Sequence, residues 1–235
     1  MGYSFKHIFY LGDTHEVFII NRLLESRLPE GSLVIHVGDL GLGFGPKIHD
    51  KIDLAKLNET LVNNDLTLWA IRGNHDDPQW WNNQRLTEEF SNIELVPDYT
   101  AREVNGEKYL FVGGAISVDR NAHYSNGTPV REQGRTWWAD EVVEERDLAQ
   151  ISECDVLITH TCPSYIGPPT KSSHMDYYAK NDPTLLDELT QERHFMDQLV
   201  NKTKPRLLVC GHMHRSEILK QDGKLYRILD INELW

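Results

Sequence analysis

Side chains able to do chemistry recur at one kind of position in this sequence. Asp13 and His15 follow a glycine in Gly12-Asp13-Thr14-His15, Asp39 follows one in Gly38-Asp39-Leu40-Gly41, and Asn74 and His75 follow one in Gly73-Asn74-His75-Asp76. Later come Thr159-His160 and Gly211-His212-Met213-His214. Imidazole and carboxylate together suit borderline ions such as Zn, Mn and Fe, and the lack of a thiolate cluster argues against a Cys-rich structural site. Asp13, His15, Asp39, Asn74, His160, His212 and His214 are too many ligands for one tetrahedral ion. They match two five- or six-coordinate ions that share a carboxylate and a solvent. Taken singly, each piece has an ordinary reading: Gly-Asp as a turn, His-x-His as surface chemistry, Gly-Asn-His-Asp as an Asx turn. Their shared position argues against five independent turns. The i, i+2 spacing of Asp13 with His15, and of His212 with His214, places each pair on one face of an extended segment.

The elements that must position these groups are short. Apolar runs over 7–11, 33–37, 66–71, 109–112, 156–159 and 207–210 read as buried strands, and five of the six end at one of the groups above. Helical patterns cover 16–27, 48–63, 140–151 and 183–200, the last with Asp182 as N-cap before Pro183 at the first helical position. Residues 217–231 read as a hairpin around Asp222-Gly223. This alternation predicts an α/β sandwich, and α/β sheets gather ligands at the carboxyl ends of their strands. Segments 117–138 and 161–181 lack periodicity and are expected to form the walls of a pocket. With no repeat or linker, residues 1–235 read as one domain.

Bulk properties narrow the partners. The net charge is -12, which weighs against tight binding to duplex nucleic acid, since that binding rests on Lys and Arg releasing counterions. Cys154, Cys162 and Cys210 form no CxxC pair and are odd in number, pointing to a reducing, cytoplasmic compartment. No apolar run has the ~20 residues of a membrane span, and the first residues lack a signal-peptide pattern.

In this order, Asp-x-His, Gly-Asp-x-Gly, Gly-Asn-His-Asp, Thr-His and Gly-His-x-His over residues 12–214 resemble the calcineurin-like metallophosphoesterase family. The resemblance implies a four-layer α/β/β/α sandwich of two mixed β-sheets flanked by helices. It also implies two divalent or trivalent ions (Mn, Fe, Zn, Ni or Co). Asp13, His15, Asp39 and His214 would hold one, and Asp39, Asn74, His160 and His212 the other, with Asp39 bridging. A metal-bridging hydroxide would attack a phosphomonoester or phosphodiester of small-molecule or nucleotide type, and His75 would protonate the leaving oxygen. A neighbouring carboxylate is expected to keep His75 cationic for that task. Asp76 and Asp77 are the nearest in sequence, Asp76 reading rather as a residue that fixes the loop. The chain departs from the protein phosphatases of this superfamily, because Gly38-Asp39-Leu40-Gly41-Leu42-Gly43-Phe44 lacks the second Asp and the Arg of their motif. The alternatives are a nuclease acting on single strands or ends and, less favoured by the intact ligand set, a phosphoprotein phosphatase or a non-catalytic scaffold.

Substrate contacts are expected from Arg120, His123, Arg131, Arg135 and Trp138, since a guanidinium fork matches phosphate and an indole stacks on a base. At least one of Trp137 and Trp138 is expected to pack as core instead. His174, Tyr177 and Tyr178 are candidates for the opposite wall. His7, His36, His49 and His194 read as structural or surface residues, while Trp80 and Trp81 are open between packing and pocket.

Overall fold

A computed structural model of the chain describes residues 2–17, 20, 28–45, 49–83 and 88–235. Most of the helical pattern over 16–27 lies outside the described residues. Strands β1 (His7–Leu11), β2 (Ser32–His36), β3 (Leu66–Ala70) and β4 (Ile93–Leu95) form a four-stranded sheet in that order, parallel throughout. Strands β5 (Thr100–Val104), β6 (Glu107–Val112), β7 (Val156–Thr159), β8 (Leu207–Cys210), β9 (Glu217–Gln221) and β10 (Lys224–Ile228) form the second sheet. Its order is β5-β6-β7-β8-β10-β9, parallel at its centre and antiparallel at both edges. The predicted hairpin is the β9–β10 pair. Two strands, β4 and β5, carry too little apolar alternation to be read from sequence.

The layering follows from the two-residue period of a strand. Leu33, Ile35, Trp69 and Ile71 of the first sheet meet Tyr109, Phe111, Val156 and Ile158 of the second in a shared core. Their alternate neighbours point the other way. Val34, Leu66 and Leu68 pack on Leu54, Leu57 and Leu61 of helix α1 (Asp50–Asn63). Leu157, Leu208 and Cys210 pack on Phe195, Met196 and Leu199 of helix α4 (Leu185–Thr203). The result is the expected α/β/β/α stack. Each fully buried leucine adds roughly 1.5–3 kcal/mol to it. Between those helices in sequence, the described residues include two short ones, α2 (Gln79–Asn82) and α3 (Ser173–Ala179). Trp80 and Trp81 of α2 are buried in the α1 core, which resolves them as packing.

Two expected local features differ. Residues 140–151 are not a helix; only Leu148–Gln150 makes a single 3-10 turn. Backbone groups a helix would use are committed elsewhere: the carbonyls of Asp140, Glu141 and Val142 accept from Arg72, and the amide of Val143 donates to Glu192. Asp182 does not cap α4, whose N-cap is Thr184; its carboxylate is taken by Arg120, Asn121 and Thr184.

Candidate metal centre and adjoining cavity

Register brings the strand ends to one level. Leu11 pairs with His36 and His36 with Ala70, so the loops beginning at Gly12, Val37 and Ile71 leave the first sheet side by side. In the second sheet Ile158 pairs with Val209, and the amide of Gly211 donates to His160 O at 3.1 Å, which sets the loops after β7 and β8 together.

These loops are not extended. His15, Asp39, His212 and His214 have φ of 57°, 59°, 63° and 46°, so the expectation that i, i+2 residues share the face of an extended segment fails. Left-handed turns bring them together instead. Such backbone is costly for residues other than glycine and persists where the surroundings over-determine it, often at functional sites. Glycine is needed for close approach: a Cβ on Gly73 would lie 2.0 Å from Asp39 Oδ1, and one on Gly211 2.0 Å from Asp13 Oδ1.

The seven expected ligands converge. Asp13, His15, Asp39 and His214 each place a ligand atom within 4.8 Å of the others. Asp39 Oδ1 lies 3.1 Å from His160 Nε2, and Asp39 Oδ2 lies 3.6 Å from His15 Nδ1. Asn74 Oδ1 is 3.1 Å from His160 Nε2, and the rings of His160 and His212 are 5.0 Å apart. Backbone and polar groups behind these side chains fix their orientation. His160 Nδ1 donates to Val37 O at 2.8 Å, which turns Nε2 inward; Asn74 Nδ2 donates to Ser117 Oγ at 3.0 Å, which leaves Oδ1 for the centre. Asp13 accepts from the amide of His212, and Asp39 from the amide of His75. This nitrogen and oxygen donor set, with outward atoms satisfied and inward atoms converging, fits borderline metal cations.

Electrostatics differ from residue to residue. Burial opposes charge on His160, yet the carboxylates of Asp39 and Asp13 outweigh it and raise the imidazole to about 9. Burial likewise opposes charge on Asp39, but His160, His75 and His15 hold it well below the usual carboxylate range. His212 is driven down by burial and by His160.

His75 departs from expectation. Burial is the main influence and lowers it to about 4, with Arg131 and His15 acting in the same direction against Asp39. No aspartate beside it in sequence faces its ring. Asp76 accepts four backbone amides, from Leu40, Gly41, Leu42 and Gly73, and so fixes the loop; Asp77 accepts from the amide of Gln79. What holds the ring is His15 Nδ1 at 3.1 Å from His75 Nδ1, Arg131 Nη2 at 2.7 Å from His75 Nε2, and Phe44 stacked on its face at 4.7 Å. Guanidinium is always a donor, so His75 Nε2 accepts and the ring is neutral. Phe44 gave a faint sequence signal, an aromatic between Gly43 and Gly45. The twelve-residue separation of Asp119 from Arg131, bridged at 2.8 Å, gave none.

A cavity of about 630 Å³ opens over the centre, between the two irregular segments as expected. Of the five expected substrate contacts, Arg131 alone lines it. Arg120 is spent on Asp182 and Glu188, Arg135 is exposed and paired with Glu132, and His123 is exposed in an isolated bridge to Pro129. Trp138 is buried against Phe44, a layer behind His75. On the opposite wall His174 and Tyr178 line the cavity, whereas Tyr177 faces solvent. Fully buried His36 bonds Thr14 Oγ1 through Nε2 at 3.1 Å.

Among curated proteins, no sequence matches significantly. Among solved structures, a phosphopantetheinyl hydrolase from Mycobacterium tuberculosis is similar at 13% identity and a TM-score of 0.48, over 98% of this chain and 91% of that one. A protein serine/threonine phosphatase from Saccharomyces cerevisiae is similar at 16% identity and a TM-score of 0.36, over 95% of this chain and 66% of that one. The sequence pattern described as calcineurin-like phosphoesterase matches residues 6–216, which takes in every converging side chain. This chain therefore belongs to the calcineurin-like phosphoesterase family and is a hydrolase of phosphate esters.

Proposed function

We propose that the protein hydrolyses a phosphomonoester or phosphodiester of small-molecule or nucleotide type. Asp13, His15, Asp39 and His214 hold one ion, Asp39, Asn74, His160 and His212 hold a second, and Asp39 is shared. The observation that carries this reading is the convergence of seven ligand-type side chains from five strand ends, of which Asp39, Asn74, His212 and His214 line one cavity with Arg131 and His75 together at its edge. The ions, drawn from Mn, Fe, Zn, Ni and Co, would activate solvent and neutralise the phosphoryl oxygens.

The residues of the chain supply the rest. Asp119 and Thr136 O hold Arg131 so that Nη2 meets His75. A phosphoryl anion entering here takes the guanidinium donors for its own oxygens. Its charge then opposes the burial and the Arg131 field that keep His75 neutral. The released Nε2 gains a proton and carries it to the leaving oxygen. Arg131 thereby takes the phosphate-holding position that the loop after Asp39 lacks. No described helix is long and apolar enough to cross a membrane, and three free buried thiols support a cytoplasmic setting.

Purified protein loaded with Mn, Ni, Co, Zn or Fe should hydrolyse para-nitrophenyl phosphate or its bis-ester, and a chelator should abolish this. Bound metal without turnover of either ester would sink the proposal.

A further inference from the structure

Away from its metal-facing floor, the cavity is short of positive charge. Among the described residues, Arg131, Arg193, Asp119 and Glu192 are the charged side chains on its walls, with the imidazole of His174 beside them. The Arg131 guanidinium is bridged to Asp119 through Nε. Arg193 is 4% exposed, and both of its terminal nitrogens donate to carbonyls, Nη1 to Pro168 and Nη2 to Pro163 and Ile166. It fastens the loop after His160: both Nη2 hydrogens and one on Nη1 are committed to carbonyls there, and Nε is buried. Glu192 adds an acidic group, although burial raises it to about 7. A nucleoside diphosphate or triphosphate, or an inorganic polyphosphate, would bring negative charge beyond the reacting phosphoryl group. Among the described residues, the walls hold no further guanidinium or ammonium to meet it.

What the walls do hold is apolar. Val118, Met175 and Tyr178 are half-buried, packing on Ile116, Leu185 and Leu189 while also lining the cavity. Pro168 and Pro169 continue the surface, and Thr161, Thr170 and Ser172 add neutral hydroxyls. The volume lies in the range of sites that bury a whole small organic molecule. An apolar wall favours apolar ligand surface removed from water in proportion to its area, and it penalises a charged group left there unpaired.

We infer that the substrate is a phosphate ester with a single phosphoryl group whose organic part is uncharged and largely apolar or aromatic. The phosphoryl group sits at Arg131 and the metal ligands; the organic part lies against Val118, Met175, Tyr178 and Leu189. This rests on the phosphoesterase reading above. In the reaction, water oxygen adds to phosphorus, the bond from phosphorus to the ester oxygen breaks, and the departing alkoxide or phenoxide takes a proton.

The test uses the metal-loaded full chain and a series of para-alkylphenyl phosphates, in which chain length changes apolar surface but hardly changes the leaving-group acidity. From phenyl to para-butylphenyl phosphate, kcat/KM should rise about tenfold or more, and ATP and pyrophosphate should be poorer than either. In Met175→Glu, on the partly exposed helix α3, the ratio of the two aryl esters should fall toward one. A second arm measures binding of benzylphosphonate and para-butylbenzylphosphonate by calorimetry and needs no turnover. A flat series, or preference for ATP, overturns the inference and leaves the phosphoesterase reading standing. If no ester is turned over but the butyl compound binds more tightly to wild type and loses that advantage in Met175→Glu, the reaction is overturned and the pocket assignment stands. Equal binding of the two phosphonates overturns the assignment.

Discussion

In the floor layer beneath the cavity, Asp13, Asp39 and His160 are at most 1% exposed and are held through backbone groups: the amides of His212 and His75 and the carbonyl of Val37. On the walls, Arg131, Val118 and Tyr178 sit on chain fastened by side-chain bridges such as Arg131–Asp119, Arg120–Asp182 and Arg120–Glu188. A floor position is displaced only by moving a strand. A wall position is displaced by breaking a bridge. The proposed centre is therefore built on turns held directly against the strand ends, and the surface proposed to select the substrate is built on longer loops, where residues can change without disturbing the centre.

Four groups of tests would break or sharpen this contrast. The largest effect is expected at the floor: Asp39→Asn should lower kcat/KM by about 10³-fold with a measurable loss of bound metal, since one carboxylate serves both proposed sites. An unchanged metal content would argue against sharing. On the wall, Arg131→Ala should cost about 10²-fold in kcat/KM while the fold and metal content persist. Because Arg131 helps hold His75 down, the imidazole should titrate at higher pH in this variant, visible in its ring proton shifts. Arg131→Lys should not restore full activity, as a point charge lacks the guanidinium fork.

The floor also carries a pH signature. His160 stands at about 9 against 6.5 for the free side chain, so the folded, metal-free protein binds that proton more tightly than the unfolded chain. Its contribution to stability is complete below about pH 6.5 and is lost as pH rises through about 9. Metal binding needs the neutral ring. Loading Zn or Mn at pH 7 should release a proton into a lightly buffered solution, and affinity should weaken about tenfold for each pH unit downward on account of this group. No proton release would separate His160 from the metal.

The smallest effect compares two glycines by thermal unfolding. Gly73→Ala would drive a Cβ to 2.0 Å from Asp39 Oδ1 and 2.4 Å from Asp39 N, at about 2–3 kcal/mol. Gly127→Ala, in the irregular wall segment with no atom within 4 Å, meets only the strain of its φ of 82°, about 1–2 kcal/mol. Equal costs would mean that the floor is less tightly built than its contacts imply.

Legibility in the sequence follows the same division. Strands β1, β7 and β8 are apolar runs whose residue types and ends are local properties, and they appear with the expected bounds. The floor side chains follow directly from such ends. Residues 140–151 have the spacing of a helix, but Arg72, sixty-eight to seventy residues away, takes three of their carbonyls. Arg120 and Arg135 have the composition of phosphate contacts, and distant or neighbouring carboxylates claim them. Nothing in local spacing reports such partners.

By itself, then, the sequence determined the two-residue alternation that stacks two sheets between helices, and the ligand-type residues that leave their strand ends. Both depend on interactions within a few residues. Only the tertiary structure decided that Arg131 meets His75, that Phe44 stacks on it, that left-handed turns rather than extended chain gather the histidines, and that the cavity walls are apolar. Those arrangements arise where segments far apart in the chain compete for the same hydrogen bonds and the same buried space, and that competition is resolved only when the chain is packed.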